Sequence, residues 1–288
     1  MDTNALNAFV AVANHQSFSK ASESLYLTQP AISKRIATLE KQLGLQLFDR
    51  IGKKVLLTEA GNKLLPKAIE ILQQTQDIKR LASNLDNQIS GPLTLGTSHH
   101  IGLRRLPSVL KRFIQHYPQV DLDIRFMDSE EACQQVESGE LEIAIVTLPQ
   151  NPAKSLITQT VWPDPMGIFT NREHPLAERQ SVSFQELAKH PAVIPGKGTY
   201  TRNILEATLA AHKVKPEIAM STNYLETLKM LAGIGLGWTL LPISMKDDDL
   251  TQLNIKSLDV ARSLGIVTHQ QRTLSNPANA IRDMCLAE

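Results

Sequence analysis

Residues 17–43, SFSKASESLYLTQPAISKRIATLEKQL, read as two short helices joined by a tight turn. The first runs from Ser19 to about Leu25. Ser17 and Ser19 are both suited to cap it, because a serine oxygen accepts a free N–H of the first turn. Ala21 and Leu25 share a face, and Tyr26-Leu27 breaks the pattern. Thr28 suits the N-cap of the second helix, and Pro30 falls in its first turn, where a missing N–H does little harm. Ile32, Ile36, Leu39 and Leu43 then form one apolar helical stripe. Gly44 ends the helix.

The opposite face carries Gln29, Ser33, Lys34, Arg35 and Thr38. A glutamine can pair bidentately with adenine, and a serine can bond a base edge or a phosphate. Lys34 and Arg35 supply phosphate charge. In a helix-turn-helix the first residues of the second helix reach the bases; here these are Gln29, Pro30, Ser33 and Lys34. Periodicity alone is equally compatible with an ordinary amphipathic helix whose polar face is solvated.

Residues 4–61 resemble the N-terminal module of the LysR-type transcriptional regulators. The matching residues are Leu6 and Phe9; Ser17-Phe18 with Ala21 and Leu25; Thr28-Gln29-Pro30-Ala31-Ile32-Ser33; Ile36, Leu39-Glu40 and Leu43-Gly44; Leu47-Phe48 with Arg50; and Leu57-Thr58 with Gly61. The run is long and correctly spaced. Lys34 stands where the family often has Arg, which serves a phosphate with different geometry. The resemblance implies a winged helix-turn-helix in which Ser17, Ser19, Thr28, Gln29, Pro30, Ser33, Lys34, Arg35 and Thr38 face DNA.

Around this module, Asn4 to Asn14 reads as a supporting helix with Leu6, Phe9, Val10 and Ala13 toward the core. Leu47 to Thr58 reads as a two-stranded wing turning at Gly52-Lys53-Lys54. Arg50, Lys53 and Lys54 are candidates for backbone phosphates, contacts that hold register without reading sequence; a solvated hairpin tip is the alternative. Thr58 can cap a long helix from Glu59 to about Gln88. In it Leu64, Ala68, Ile71, Thr75, Ile78, Ala82, Leu85 and Ile89 make a heptad seam that suits a partner helix. Leu64, Ala68, Ile71, Ile78 and Leu85 are its expected dimerisation residues, with Pro66 bending the helix locally.

The chain has 288 residues, enough for about two domains. With 42% hydrophobic and 20% charged residues it has the composition of a globular protein. Cys133 and Cys285 are far apart in sequence, which suggests a reducing compartment without a disulfide framework; they read as buried structural thiols, with a redox switch as the alternative. No apolar run has the length of a membrane span, and MDTNALNAFV does not read as a signal peptide. A cytoplasmic location follows as the expectation. The net charge of +1 is unevenly spread: residues 1–58 hold seven Lys/Arg against four Asp/Glu, and residues 91–288 hold 19 against 21. A basic front on a slightly acidic body suits docking on DNA by one end.

After Ser90-Gly91-Pro92 the pattern alternates strand and helix, the sign of an α/β sheet. Strands are read at Leu93–Leu95, Val120–Phe126 and Leu141–Val146, then at Met166–Thr170, Ala192–Ile194, Ile218–Met220, Leu236–Leu241 and Leu264–Thr268. Helices are read at Leu106–Gln115, Ser129–Ser138, Phe184–Lys189, Thr201–His212, Tyr224–Ala232 and Asn276–Leu286. This pattern resembles the two-lobed effector domain of the same family, akin to periplasmic binding proteins. The expected organisation is a DNA-binding domain over 1–58, a linker helix over 59–90 and an effector domain over 91–288. Its lobe I would comprise about 91–161 and 267–288, and its lobe II 162–266. The fold class is thus a multidomain α+β and α/β chain.

In open α/β sheets, ligands collect at strand C-termini and helix N-termini. Thr97-Ser98-His99-His100, Thr147, Gly196 with Thr199 and Thr201, and Thr222 occupy such places. Their hydroxyls and helix ends favour a small anion, and the resemblance puts the effector between the lobes. His99-His100 does not make a metal site, since adjacent side chains point apart and no cluster completes four ligands. Gly233-x-Gly235-x-Gly237 lies after a helix and before a strand, the wrong order for a dinucleotide fingerprint, and reads as close packing. Asp247-Asp248-Asp249 reads as a surface loop. No catalytic constellation at motif spacing argues for an enzyme. A solute-binding protein would explain residues 91–288 but not Gln29-Pro30-Ser33. The expected partners are double-stranded promoter DNA, a small-molecule effector, a second copy in a dimer or tetramer, and RNA polymerase, with no cofactor.

Overall fold

The computed structural model describes residues 2–51, 54–86, 88–256 and 258–288, and divides into two compact units, Met1–Asp86 and Asn87–Glu288. In the first unit, α1 (Thr3–His15), α2 (Phe18–Ser24) and α3 (Gln29–Leu43) precede a hairpin of β1 (Phe48–Ile51) and β2 (Lys54–Leu57), then α4 (Glu59–Asn84). Each helix has an identifiable start. The Asp2 side chain accepts from the Ala5 N–H, Ser17 from Lys20, and Thr58 from Gly61. Ser17, not Ser19, is therefore the cap of α2. The core joins Leu6, Phe9 and Val12 of α1 to Ile32, Ile36 and Leu39 of α3. Val10 and Ala13 pack half-buried against this core, and Val12, not expected there, is fully buried.

Phe48 knits this core together: its ring meets Phe9 edge-on at 5.5 Å and Phe18 at 5.9 Å. The wing is hung from α3 by Glu40, whose Oε1 accepts the N–H groups of Leu47 (2.8 Å) and Phe48 (3.4 Å). The seam expected along α4 is split. Ala68 is buried in the unit's own core, and half-buried Leu64 packs against it. Beyond them Ile71, Ile78, Leu81 and Leu85 are 38%, 67%, 52% and 83% exposed. The helix ends at Asn84 rather than near Gln88, and Ile89 belongs to the second unit, beside Tyr117 and Met284.

The second unit contains two α/β lobes. In lobe I, β3 (Gly91–Thr97), β4 (Val120–Phe126) and β5 (Ile143–Thr147) run parallel. They are flanked by α5 (His99–Arg104), α6 (Leu106–His116), α7 (Ser129–Ser138) and the final α11 (Asn276–Leu286). β6 (Leu156–Asn171) crosses between the lobes, and β11 (Ala261–His269) returns antiparallel beside it. Lobe II holds α8 (Phe184–Leu187), β7 (Ala192–Ile194), α9 (Tyr200–Ala211), β8 (Ile218–Ser221), α10 (Leu225–Gly233), β9 (Thr239–Pro242) and β10 (Leu250–Leu253). The far half of β6 pairs there with β9 and β10. β11 is paired with β5 from Leu264 onward, so the chain re-enters lobe I a little before residue 267.

β6 starts ten residues before Met166, through a stretch in which Pro163 and Pro165 argue against a strand. β9 begins at Thr239 rather than Leu236, and α5 and β10 have no counterpart in the sequence reading. Gly237 is a packing glycine, since a Cβ there would lie 2.4 Å from the Pro191 carbonyl oxygen.

Gly61 shows the same constraint in the first unit: a Cβ there would lie 2.3 Å from the Leu47 oxygen and 2.9 Å from Leu57 Cδ2. Gly61→Ala should therefore destabilise the first unit by about 1–3 kcal/mol through overpacking. The effect would appear as a lower urea midpoint. An unchanged midpoint would mean the wing yields freely.

Candidate functional site

The α2–α3 turn positions the first surface of interest. The Tyr26 N–H bonds Glu23 O and the Leu27 N–H bonds Ser22 O, the Schellman pattern. Tyr26 adopts φ 52° where glycine is usual, and its side chain is 96% exposed. Leu27 packs on the core, which aims α3 outward. On α3, Ile32, Ile36 and Leu39 face inward. Thr28, Gln29, Pro30, Lys34 and Thr38 are exposed, and Ser33 and Arg35 half-buried. Thr28 makes no side-chain cap bond, which leaves its hydroxyl available. Ser17 is half-buried as the α2 cap, and Ser19 is exposed. The Thr38 hydroxyl donates to Lys34 O at 2.8 Å, so its proton is engaged within the helix. Arg50 and Lys54 lie in β1 and β2 by their backbones. Lys53 and the other two side chains lie outside the described residues.

The second surface lies between the lobes. A cavity of about 60 Å³ is lined from lobe I by Ser98, His100, Ser129 and Thr147, and from lobe II by Thr199 and Thr201. Asp128, Glu130, Pro195, Asn223, Leu225 and Arg262 complete the wall with His99. Two bonds tie the lobes across it: the Asn223 side-chain N–H donates to Asp128, and the Tyr200 N–H to Glu130. Burial pushes the Glu130 carboxyl upward in pKa, against the pull of that N–H.

Three residues expected at the ligand do not reach the cavity. The Thr97 hydroxyl is fully buried and donates to Ile145 O at 2.8 Å, inside the sheet. Gly196 packs on Asn223, accepting no side chain of its own, and the Thr222 hydroxyl accepts from Tyr224 N. His99 does border the cavity, but it is exposed and stacks on Phe126 at 5.4 Å. Asp128 and Ser129 could have been found by the rule that selected Ser98, because they follow β4 and open α7. Arg262 had no such signal: it sits within a strand.

Arg262 belongs to a buried charge cluster where β6 and β11 pass between the lobes. Arg262 and Asp164 are direct cross-strand partners, with Nε at 2.7 Å from Oδ2 and the two side chains 5% and 1% exposed. Arg262 Nη1 donates to Thr201 Oγ1 at 3.0 Å. Arg105 lies 3.6 Å from Asp164 Oδ1, and Arg104 3.8 Å from Glu226 Oε1. Burial, and then the Arg262 charge, hold His100 down to about 4, so its ring is neutral at pH 7.

A wider groove of about 690 Å³ runs beside α10. Two of the acidic-loop residues are paired with cations of this groove, Asp247 with Lys229 and Asp248 with Arg172. Cys133 and Cys285 are buried in separate apolar clusters, and burial raises both thiols, Cys285 to about 12. Among the described residues, no group of three or more His, Cys, Asp or Glu could hold a metal ion, and no helix is long and apolar enough to cross a membrane.

The chain matches the model of the LysR substrate binding domain over residues 86–288, and that of the bacterial regulatory helix-turn-helix protein, lysR family, over 3–62. The HTH-type transcriptional regulator YeiE of Escherichia coli, uncharacterized, is 31% identical over 285 residues, covering 97% of this chain and 95% of that protein. An uncharacterized HTH-type regulator from the ibpB-leuC intergenic region of Azotobacter vinelandii is 61% identical over 107 residues, 37% of this chain and 74% of that protein. Full-length OxyR from Pseudomonas aeruginosa superposes with a TM-score of 0.71 at 24% identity, covering 99% of this chain and 94% of that one. Full-length CbnR complexed with its target DNA gives 0.62 at 18% identity, covering 100% and 99%. At these identities the two structures establish a shared fold. Family models over both units and a relative matching nearly end to end lead to one conclusion: the chain belongs to the LysR family of transcriptional regulators, DNA-binding proteins that carry a domain for a small-molecule effector.

Proposed function

We propose that the chain regulates transcription in the cytoplasm as a dimer or tetramer, reading promoter DNA with α3 and responding to an anionic effector held between its lobes. The observation that carries the reading is the start of α3: Thr28, Gln29 and Pro30 stand exposed on a helix whose other face is locked into the core. Gln29 and Ser33 then address base edges. Thr28, Ser19, Lys34 and Arg35, with Arg50, Lys53 and Lys54 of the wing, hold the phosphates. Ser17 acts from its cap position, and Thr38 through its remaining lone pairs. Ile71, Ile78, Leu81 and Leu85 form the pairing stripe, which sets the spacing of two half-sites. RNA polymerase is the further partner through which bound regulator alters transcription.

The effector acts through a difference in affinity between two arrangements of the protein. Ser98, His100, Thr147, Thr199, Thr201 and Arg262 are its contacts in this reading. The cleft-lining hydroxyls and the N-termini of α7 and α9 favour negative charge there.

Gel-shift on DNA upstream of the chain's own gene tests the reading, and affinity should fall steeply as salt rises, through counterion release. A folded protein that binds no such fragment would refute it. Gln29→Ala and Ser33→Ala should each reduce discrimination between site and random DNA by about 1–3 kcal/mol. An equal loss on both DNAs would reassign the residue to the backbone. Ile78→Glu with Leu85→Glu should shift sedimentation at micromolar concentration from oligomer toward monomer, and unchanged sedimentation would move pairing elsewhere.

A further inference from the structure

The buried groups left without hydrogen bonds at the interlobe cavity are nitrogens, and at least two of them carry N–H donors. Arg262 and His100 are both more than nine-tenths buried. Arg262 Nη2 and both ring nitrogens of His100 lack a hydrogen bond, and both residues line the cavity. A buried donor without an acceptor is costly and marks a place for one. The other nitrogens of Arg262 are held by Asp164 and Thr201, so Nη2 is fixed in direction. Neutral His100 offers one N–H and one lone pair.

The carboxylates that line the cavity are already engaged: Asp128 is bonded to Asn223, and Glu130 to the Tyr200 N–H. Asp164 Oδ1 and Glu226 Oε1 lack hydrogen bonds; each faces an arginine, and Glu226 Oε1 also lies 3.9 Å from His100 Nδ1, beyond hydrogen-bond reach, while neither residue lines the cavity. The ten-residue α7 and twelve-residue α9 both begin at the wall and add partial positive charge. Size narrows the choice further. The cavity is about 60 Å³, whereas pockets for larger organic ligands run to roughly 300–1,000 Å³.

We infer that the cavity takes a small oxyanion of about four or five non-hydrogen atoms, seated on Arg262 Nη2 and His100, and excludes aromatic and long-chain acids. The inference rests on the effector-cleft reading above and names its ligand class. An inorganic oxyanion and an acetate-sized carboxylate share this chemistry.

The test uses the full-length protein in chloride buffer. Thermal shift and calorimetric titration are run with sulfate, phosphate, acetate, benzoate and citrate, and gel-shift is repeated with each. At least one of the first three should raise the melting temperature and change DNA binding, with benzoate and citrate inert. Sulfate or phosphate alone would identify an inorganic source, and acetate alone a carboxylate. Arg262→Lys keeps a cation beside Asp164 but removes Nη2, and should weaken binding at least tenfold. His100→Gln is the second variant, should the first fail to fold. Tighter binding of benzoate or citrate, no response to any of the five, or small-anion binding that both variants leave unchanged would overturn the inference. A larger metabolite that alters DNA binding through Arg262 would overturn the size class and leave the cleft reading standing. An effector response untouched by every cleft substitution would sink both.

Discussion

Asp164 and Arg262 face each other on the two strands that join the lobes, and the second unit is arranged around that pair. On one side of it β6 and β11 belong to the lobe I sheet; on the other, β6 pairs with β9 and β10. A buried ion pair is weak grounds for stability, because desolvation offsets most of the attraction. Its value here is geometric. With Nε bound to Asp164 and Nη1 to Thr201, the guanidinium plane is fixed with respect to both the crossing strands and the first turn of α9. One side chain thereby reports on both lobes.

The first unit solves a different problem by different means. Among its described residues no buried ion pair stands at the centre, and it instead gathers three helices and a wing around Phe48. Glu40 ties the wing to α3, and Gly61 lets α4 approach the wing. The unit's surface is polar where it carries Gln29 and apolar where it carries Ile78 and Leu85.

Legibility in the sequence followed locality. The caps at Ser17 and Thr58, the stripe of α3 and the glycine stop at Gly44 depend on neighbours within a few residues, and each could be read directly. The bounds of β4, α7, β7 and α11 matched for the same reason. β6 was half-missed because Pro163 and Pro165 normally oppose a strand, and only its place opposite β11 makes it one. The heptad stripe could not show that its first two members meet the protein's own core, since an apolar face is the same for either partner. At the ligand site, strand ends were legible but side-chain direction was not. Thr97 turns into the sheet, and Arg262 enters the cavity from the start of β11, across a separation of 61 residues from Thr201.

The bonds from Asp128 to Asn223 and from Glu130 to Tyr200 have a consequence in time. They tie the two lobes together beside the cavity. An effector released by separation of the lobes would leave only as those bonds break, and a ligand of a few atoms would then stay longer than its own contacts alone allow.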